Sequence, residues 1–197
     1  MGLLRAFIAV EIPFAMREAA CGATVPLQKA LGSTVRWVPT ENMHLTLKFL
    51  GDVSPSNLDL LSDMLRAETN LFDCFELHLN GLGTFPSLKR PRVIYIDIQA
   101  PAALAALQRG IDSASHRLGY ESEARRFSPH LTIGRVKQNV TASEQKLIRQ
   151  ALEETRIDSL GTARVDSVHL YKSDLAPGGS VYTRLYSAPL RKIRGDI

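Results

Sequence analysis

The chain has 197 residues, 45% hydrophobic and 22% charged, with 24 basic and 20 acidic side chains for a formal charge of +4. That length buries a sizeable core, and the composition excludes a disordered or fibrous chain. No run approaches the ~20 apolar residues of a membrane span, and Cys21 and Cys74 lack zinc-ligand spacing, so idle thiols in a reducing cytoplasm are expected.

Residues 6–12 predict a strand, apolar on both faces and so central in its sheet. The apolar run between Arg5 and Glu11 is too short for a secretory signal. Residues 14–31 predict helix, with Pro26 kinking or ending it. Residues 36–39 are extended, because the residue before a proline avoids the helical region. A second strand covers 43–50 and closes at Gly51-Asp52. Ser54 and Pro55 start a helix as N-cap and first-turn proline. Leu58, Leu61 and Leu65 mark its buried stripe to about residue 68. Residues 75–81 alternate as a half-exposed strand. Residues 83–92 read as a loop and the candidate hinge between halves.

The order then repeats. Residues 93–98 predict a strand. Residues 101–118 predict a helix, with Pro101 at its start and Gly119 just past its end. Residues 131–136 are a strand introduced by Phe127-Ser128-Pro129. Thr141 and Glu144 form a capping box for a fourth helix, whose buried face is Leu147, Ile148, Ala151 and Leu152. Residues 164–171 are a strand, 177–179 a turn and 181–186 a final strand. A basic tail with Arg191, Lys192 and Arg194 follows. The fold class expected is α+β: a bilobal, pseudo-two-fold duplicated fold, each lobe a mostly antiparallel sheet with helices on its outer face, around a central cleft. The chain 1–197 is expected to be one bilobal domain with halves of about 1–85 and 90–197, and exchange of strands between lobes is open.

Two tetrapeptides carry the chemistry. His44-Leu45-Thr46-Leu47 and His130-Leu131-Thr132-Ile133 lie 86 residues apart, and Phe7 and Val93 keep the same offset. On a strand, residues i and i+2 share a face, so each motif presents an imidazole and a hydroxyl together, with aliphatic side chains anchored behind. Two opposed imidazoles suit in-line displacement at phosphorus, one taking a proton from water and the other giving one to the leaving oxygen. The threonine hydroxyls would hold the non-bridging oxygens. This scheme needs no metal or other cofactor, and no acidic cluster adjoins either motif. Symmetry alone leaves open which histidine is the acid. His78, His116 and His169 lack such company and read as ordinary residues.

These residues and their flanks, Arg36-Trp37-Val38-Pro39 through Asp52 and Phe127 through Arg135, resemble the 2H phosphoesterase superfamily. More narrowly they resemble the RNA 2′,3′-cyclic phosphodiesterases, historically called 2′-5′ RNA ligases. The resemblance runs from Arg5 to Tyr186. It implies metal-independent opening of a 2′,3′-cyclic phosphate end to a 2′-phosphomonoester, with His44 as proton donor and His130 as proton acceptor. It also implies 2′-5′ ligation as the reverse of a related cleavage. The partners implied are RNA or oligonucleotide ends and cyclic nucleotides; a monomer without membrane association is expected. The substrate-binding candidates are Arg135, Lys48, Phe7, Tyr182 and Arg126. Arg135 has the wrong parity and reaches the cleft only if its strand bulges, Gly134 being the place. Lys48 shares the parity of His44 and either draws in an anion or ends its strand in water. Phe7, Trp37, Tyr95, Phe127 and Tyr182 supply either a stacking face for a base or core packing, the second being the better reading. Arg126 and Arg184 are candidate phosphate contacts. A non-catalytic RNA-end or cyclic-nucleotide binder and a metal-dependent phosphodiesterase are the competing readings.

Overall fold

The computed structural model describes residues 2–177 and 179–192. Strand β1 (Leu4–Glu11) is apolar on both faces, and Ala6 through Val10 are all buried. It is central: the first sheet has the order β3-β1-β8-β9, with β3 (His44–Val53), β8 (Ser167–Ala176) and β9 (Gly179–Pro189). The second sheet has the order β2-β6-β5-β4-β7, with β2 (Val35–Trp37), β4 (Phe75–Phe85), β5 (Val93–Gln99), β6 (His130–Val136) and β7 (Gly161–Val165). The pairings within both sheets are antiparallel.

The two sheets are built alike. In each, the histidine strand pairs with the first strand of its own half, β3 with β1 and β6 with β5. The next place is taken by a strand from the other half: β8 beside β1, and β4 beside β5. Helices follow the same crossing. Helices α3 (Leu58–Thr69) and α4 (Ala102–Arg117) pack together and cover the first sheet. Gln108 and Asp112 of α4 bond to Leu47 and Lys48 of β3. Helices α1 (Phe14–Ala23), α2 (Val25–Leu31) and α5 (Ala142–Glu154) lie on the other side, α2 against β2 and α5. The capping box of α5 is formed, Thr141 accepting from the Glu144 amide at 3.2 Å and its own amide donating to Glu144 Oε2 at 2.6 Å. One continuous apolar core joins the two halves. No helix among the described residues is long and apolar enough to cross a membrane, and both cysteines are free thiols.

Four local expectations need correction. Residues 14–31 are two helices broken at Thr24, and Pro26 sits in the first turn of α2, where its missing N–H costs nothing. Strand β4 does not stop at Gly81 but continues to Phe85 through a bulge between Asn80 and Leu82. The glycines there pass through the pleat rather than ending it. Residues 164–171 are not one strand: the chain leaves β7 at Val165 and enters β8 at Ser167, in a different sheet. Strand β3 runs past Gly51 to Val53. In the basic tail, Arg191 pairs with Asp73 at 3.1 Å, while Arg194 lies outside the described residues.

Candidate active site

Strands β3 and β6, one in each sheet, run side by side with Cα atoms within 8 Å of each other. This brings the two motifs to one place. The imidazoles are close enough that His130 disfavours a proton on His44, and Arg135 acts on both. Each motif is anchored as its pattern demands. Leu45, Leu47, Leu131 and Ile133 are buried in the core, while His44, Thr46, His130 and Thr132 stay half-buried on the opposite face.

The two histidines are held identically. His44 Nδ1 meets the carbonyl oxygen of Asn42 at 2.8 Å, and His130 Nδ1 meets that of Ser128 at 2.8 Å. A carbonyl only accepts, so both Nδ1 atoms carry the proton and both Nε2 atoms keep a free lone pair in the neutral ring. The electrostatic settings differ. Burial first, then Arg135 and His130, hold His44 down at about 4 against the Asn42 bond, which raises it. Burial and Arg135 also lower His130, but the carboxylate of Asp97, its cross-strand neighbour, raises it. Aromatic rings wall each imidazole. Phe7 stacks on His44 at 4.8 Å and on Tyr171 at 5.3 Å, and Tyr182 meets His44 edge-on at 5.2 Å. Phe85 stands edge-on to His130 at 5.0 Å and stacks on Tyr95 at 4.4 Å. Tyr95 lies across Gly83, where a Cβ would come within 2.4 Å of its ring.

A bulge in each histidine strand changes which side chains reach this face. In β3, Ile8 pairs with Lys48 and Ala9 with Thr46, leaving Leu47 as the extra residue. In β6, Ile94 pairs with Gly134 and Tyr95 with Thr132, leaving Ile133 as the extra residue. Beyond each bulge the parity inverts. Arg135 therefore turns to the histidine face, as a bulged strand requires. Lys48 turns away from it, which corrects the expectation of an anion-attracting lysine. Its side chain is 1% exposed, pairs with Asp112 at 2.6 Å and donates to the Glu121 carbonyl. Phe49 takes the outward place instead and is 59% exposed. Gly134 is where β2 crosses close: a Cβ would stand 2.8 Å from Val35 Cγ1 and 3.0 Å from Trp37 Cε3.

Phe7 also needs correction as a substrate contact. It is 4% exposed and stacked between His44 and Tyr171, so it supports the imidazole rather than offering a face. Trp37 and Phe127 pack against the core. Tyr182 and Tyr95 lie beside His44 and His130. Arg184 is bonded to Glu11 at 3.1 Å, and Arg126 is exposed in the connection before β6. The alternating pattern missed Phe49, Phe85, Tyr171 and Asp97. The offset of 86 residues would have found the last three: it relates Glu11 to Asp97, and Phe85 to Tyr171.

The molecule is similar to known proteins along most of its length. The model of the 2′-5′ RNA ligase superfamily matches residues 27–177. The RNA 2′,3′-cyclic phosphodiesterase of Methanothermobacter thermautotrophicus is 32% identical over 180 residues, covering 91% of this chain and 95% of its own. That of Thermotoga maritima is 32% identical over 183 residues, covering 93% and 94%. A solved structure from Thermus thermophilus superposes with a TM-score of 0.78 at 26% identity, covering 95% of this chain and 98% of the other. E. coli LigT complexed with 3′-AMP superposes with a TM-score of 0.74 at 27% identity, with the same coverage of 95% and 98%.

Proposed function

The chain belongs to the 2′-5′ RNA ligase superfamily, and on that premise we propose that it hydrolyses the 2′,3′-cyclic phosphate of RNA ends and nucleotides to a 2′-phosphomonoester. The observation that carries this reading is the pair of identical Nδ1–carbonyl bonds, which supports two Nε2 atoms as the working acid and base. Water attacks phosphorus and gives its proton to His130. The bond from phosphorus to the 3′ oxygen breaks, and that oxygen takes a proton from His44. The Thr46 and Thr132 hydroxyls donate to the non-bridging oxygens, and the Arg135 guanidinium offsets their charge. Phe49, exposed beside this face, offers a ring for a base to stack on.

In the free protein Asp97 favours the proton on His130, the reverse of what the cycle needs. A bound phosphate anion changes that balance. The desolvation that disfavours imidazolium at His44 also leaves its attraction to phosphate least screened, so substrate binding brings the proton to His44. With an RNA 5′-hydroxyl in place of water as the nucleophile, the same base and acid would join ends through a 2′-5′ linkage, the reverse of cleavage at that linkage.

The test is product analysis on an oligonucleotide 2′,3′-cyclic phosphate in the presence of EDTA. A 2′-phosphate product is expected, with His44→Ala or His130→Ala each losing roughly 10²–10⁴ in rate. A substrate with an activated leaving group should restore much of the loss in His44→Ala and little in His130→Ala. Dependence on an added divalent ion would remove the mechanism. Saturable binding without turnover would leave only a binding module.

A further inference from the structure

A cavity of about 490 Å³ opens beside His130 and runs across the second sheet. Its walls include Tyr95 and Asp97 of β5, Asn80 and Gly83 of β4, and Asp158 and Ser159 of the connection before β7. Its volume lies within the roughly 300–1,000 Å³ of small-molecule sites. It adjoins the candidate active site through Tyr95 and Asp97. Tyr95 pairs with Thr132 and Asp97 with His130, so their side chains share the histidine face.

Duplication makes the comparison with the first sheet informative, because the equivalent positions there carry paired side chains. Glu11, the counterpart of Asp97, is held by Arg184 at 3.1 Å and Arg17 at 3.7 Å. The counterpart of Gly83 is His169, which is buried and bonded to the Ser187 hydroxyl at 2.9 Å. On the second sheet the same positions carry a glycine and a carboxylate. Among the described residues, neither Asp97 nor Asp158 has an ion-pair partner. No lysine or arginine among the described residues lines the cavity. It therefore disfavours a phosphate and offers acceptors to hydroxyl and amino groups, the donors of a ribose and a base.

We propose that this cavity seats the nucleoside next to the cyclic-phosphate end, making an RNA end of two or more nucleotides a better substrate than a free cyclic mononucleotide. The proposal rests on the reading of the preceding subsection. It is tested by kcat/KM for a dinucleotide and a mononucleotide 2′,3′-cyclic phosphate, each at low salt and in 0.5 M salt. The dinucleotide is expected to be better by roughly tenfold or more, the size of a hydrogen bond to a charged group. Asp158→Ala and Asn80→Ala are each expected to cut that ratio severalfold, and added salt to leave it standing. Equal efficiency on both substrates overturns the cavity assignment alone, as does a ratio unmoved by either variant. A preference that collapses in salt assigns it to a backbone-phosphate contact instead. Turnover of neither substrate overturns the proposed function as well.

Discussion

His44 and His130 make the same backbone bond and sit on equivalent strands, yet their charged neighbours differ. His44 is held near 4, well below the ordinary 6.5, and has no carboxylate among the groups that shift it. His130 is lowered too, with Asp97 acting against the shift. A reaction that needs one imidazole neutral and the other protonated has a kcat/KM profile whose acid limb follows the lower pKa and whose alkaline limb follows the higher. The optimum is therefore expected on the acid side of 6.5. Arg135 lowers both groups, so Arg135→Gln should move both limbs to higher pH. Asp97 raises His130, so Asp97→Asn should move the limb that His130 controls to lower pH. A shift of the opposite sign in either variant, read from the pH profile, would sink this account of the site's electrostatics.

At the scale of the element, one extra residue in a strand decides which functional groups the cleft receives. Leu47 and Ile133 are both buried in line with the core, and each bulge turns the following residue inward. In β6 that residue is Gly134, which leaves room for Val35 and Trp37 of β2. In β3 it is Lys48, whose ammonium reaches α4 and closes on Asp112 and the Glu121 carbonyl. This pair joins the first histidine strand to the helix that covers it. Removing one partner of a buried pair costs more than replacing the cation with an apolar chain of similar size. Asp112→Ala is expected to cost roughly 3 kcal/mol in urea unfolding, because it strands the ammonium. Lys48→Met should cost less than about 1.5 kcal/mol, since Asp112 remains partly exposed to water. Equal losses in the two variants would argue against a desolvated cation as the source of the cost.

For the whole molecule, the crossing of strands between halves sets the folding unit. The first half supplies β1 and β3 to one sheet and β2 and β4 to the other, and the second half supplies β8 and β9 in return. A fragment of residues 1–85 would leave β4 without β5 or β7, and β1 with one edge uncovered. A fragment of residues 90–197 would leave β8 and β9 as an isolated ribbon, which is marginal in water. Neither fragment is expected to show a cooperative thermal transition by circular dichroism, while the intact chain should show one. A sharp transition in either half alone would make the halves independent domains. The same crossing places β3 beside β6, so the site exists only in the assembled pair.

The sequence by itself determined the repeat, most of the element order and the positions of the two histidine–threonine pairs, because these rest on local periods: the alternation of a strand, the caps of a helix and a constant offset. It also foresaw that Arg135 reaches the histidine face only through a bulge, which it put at Gly134, whereas Gly134 is paired and Ile133 before it is the extra residue. It did not reveal that β3 bulges as well, and so it placed Lys48 in the cleft and overlooked Phe49. A bulge is a register between two strands, and no one-strand pattern contains it. Phe7 was legible as an aromatic residue near the site, but only packing showed its faces covered by His44 and Tyr171. The break at Asp166 between β7 and β8 followed from the two strands entering different sheets. The asymmetry of the site is likewise tertiary. The motifs are alike in sequence, and what separates His44 from His130 is the depth of burial and a carboxylate that pairs across strands with one of them.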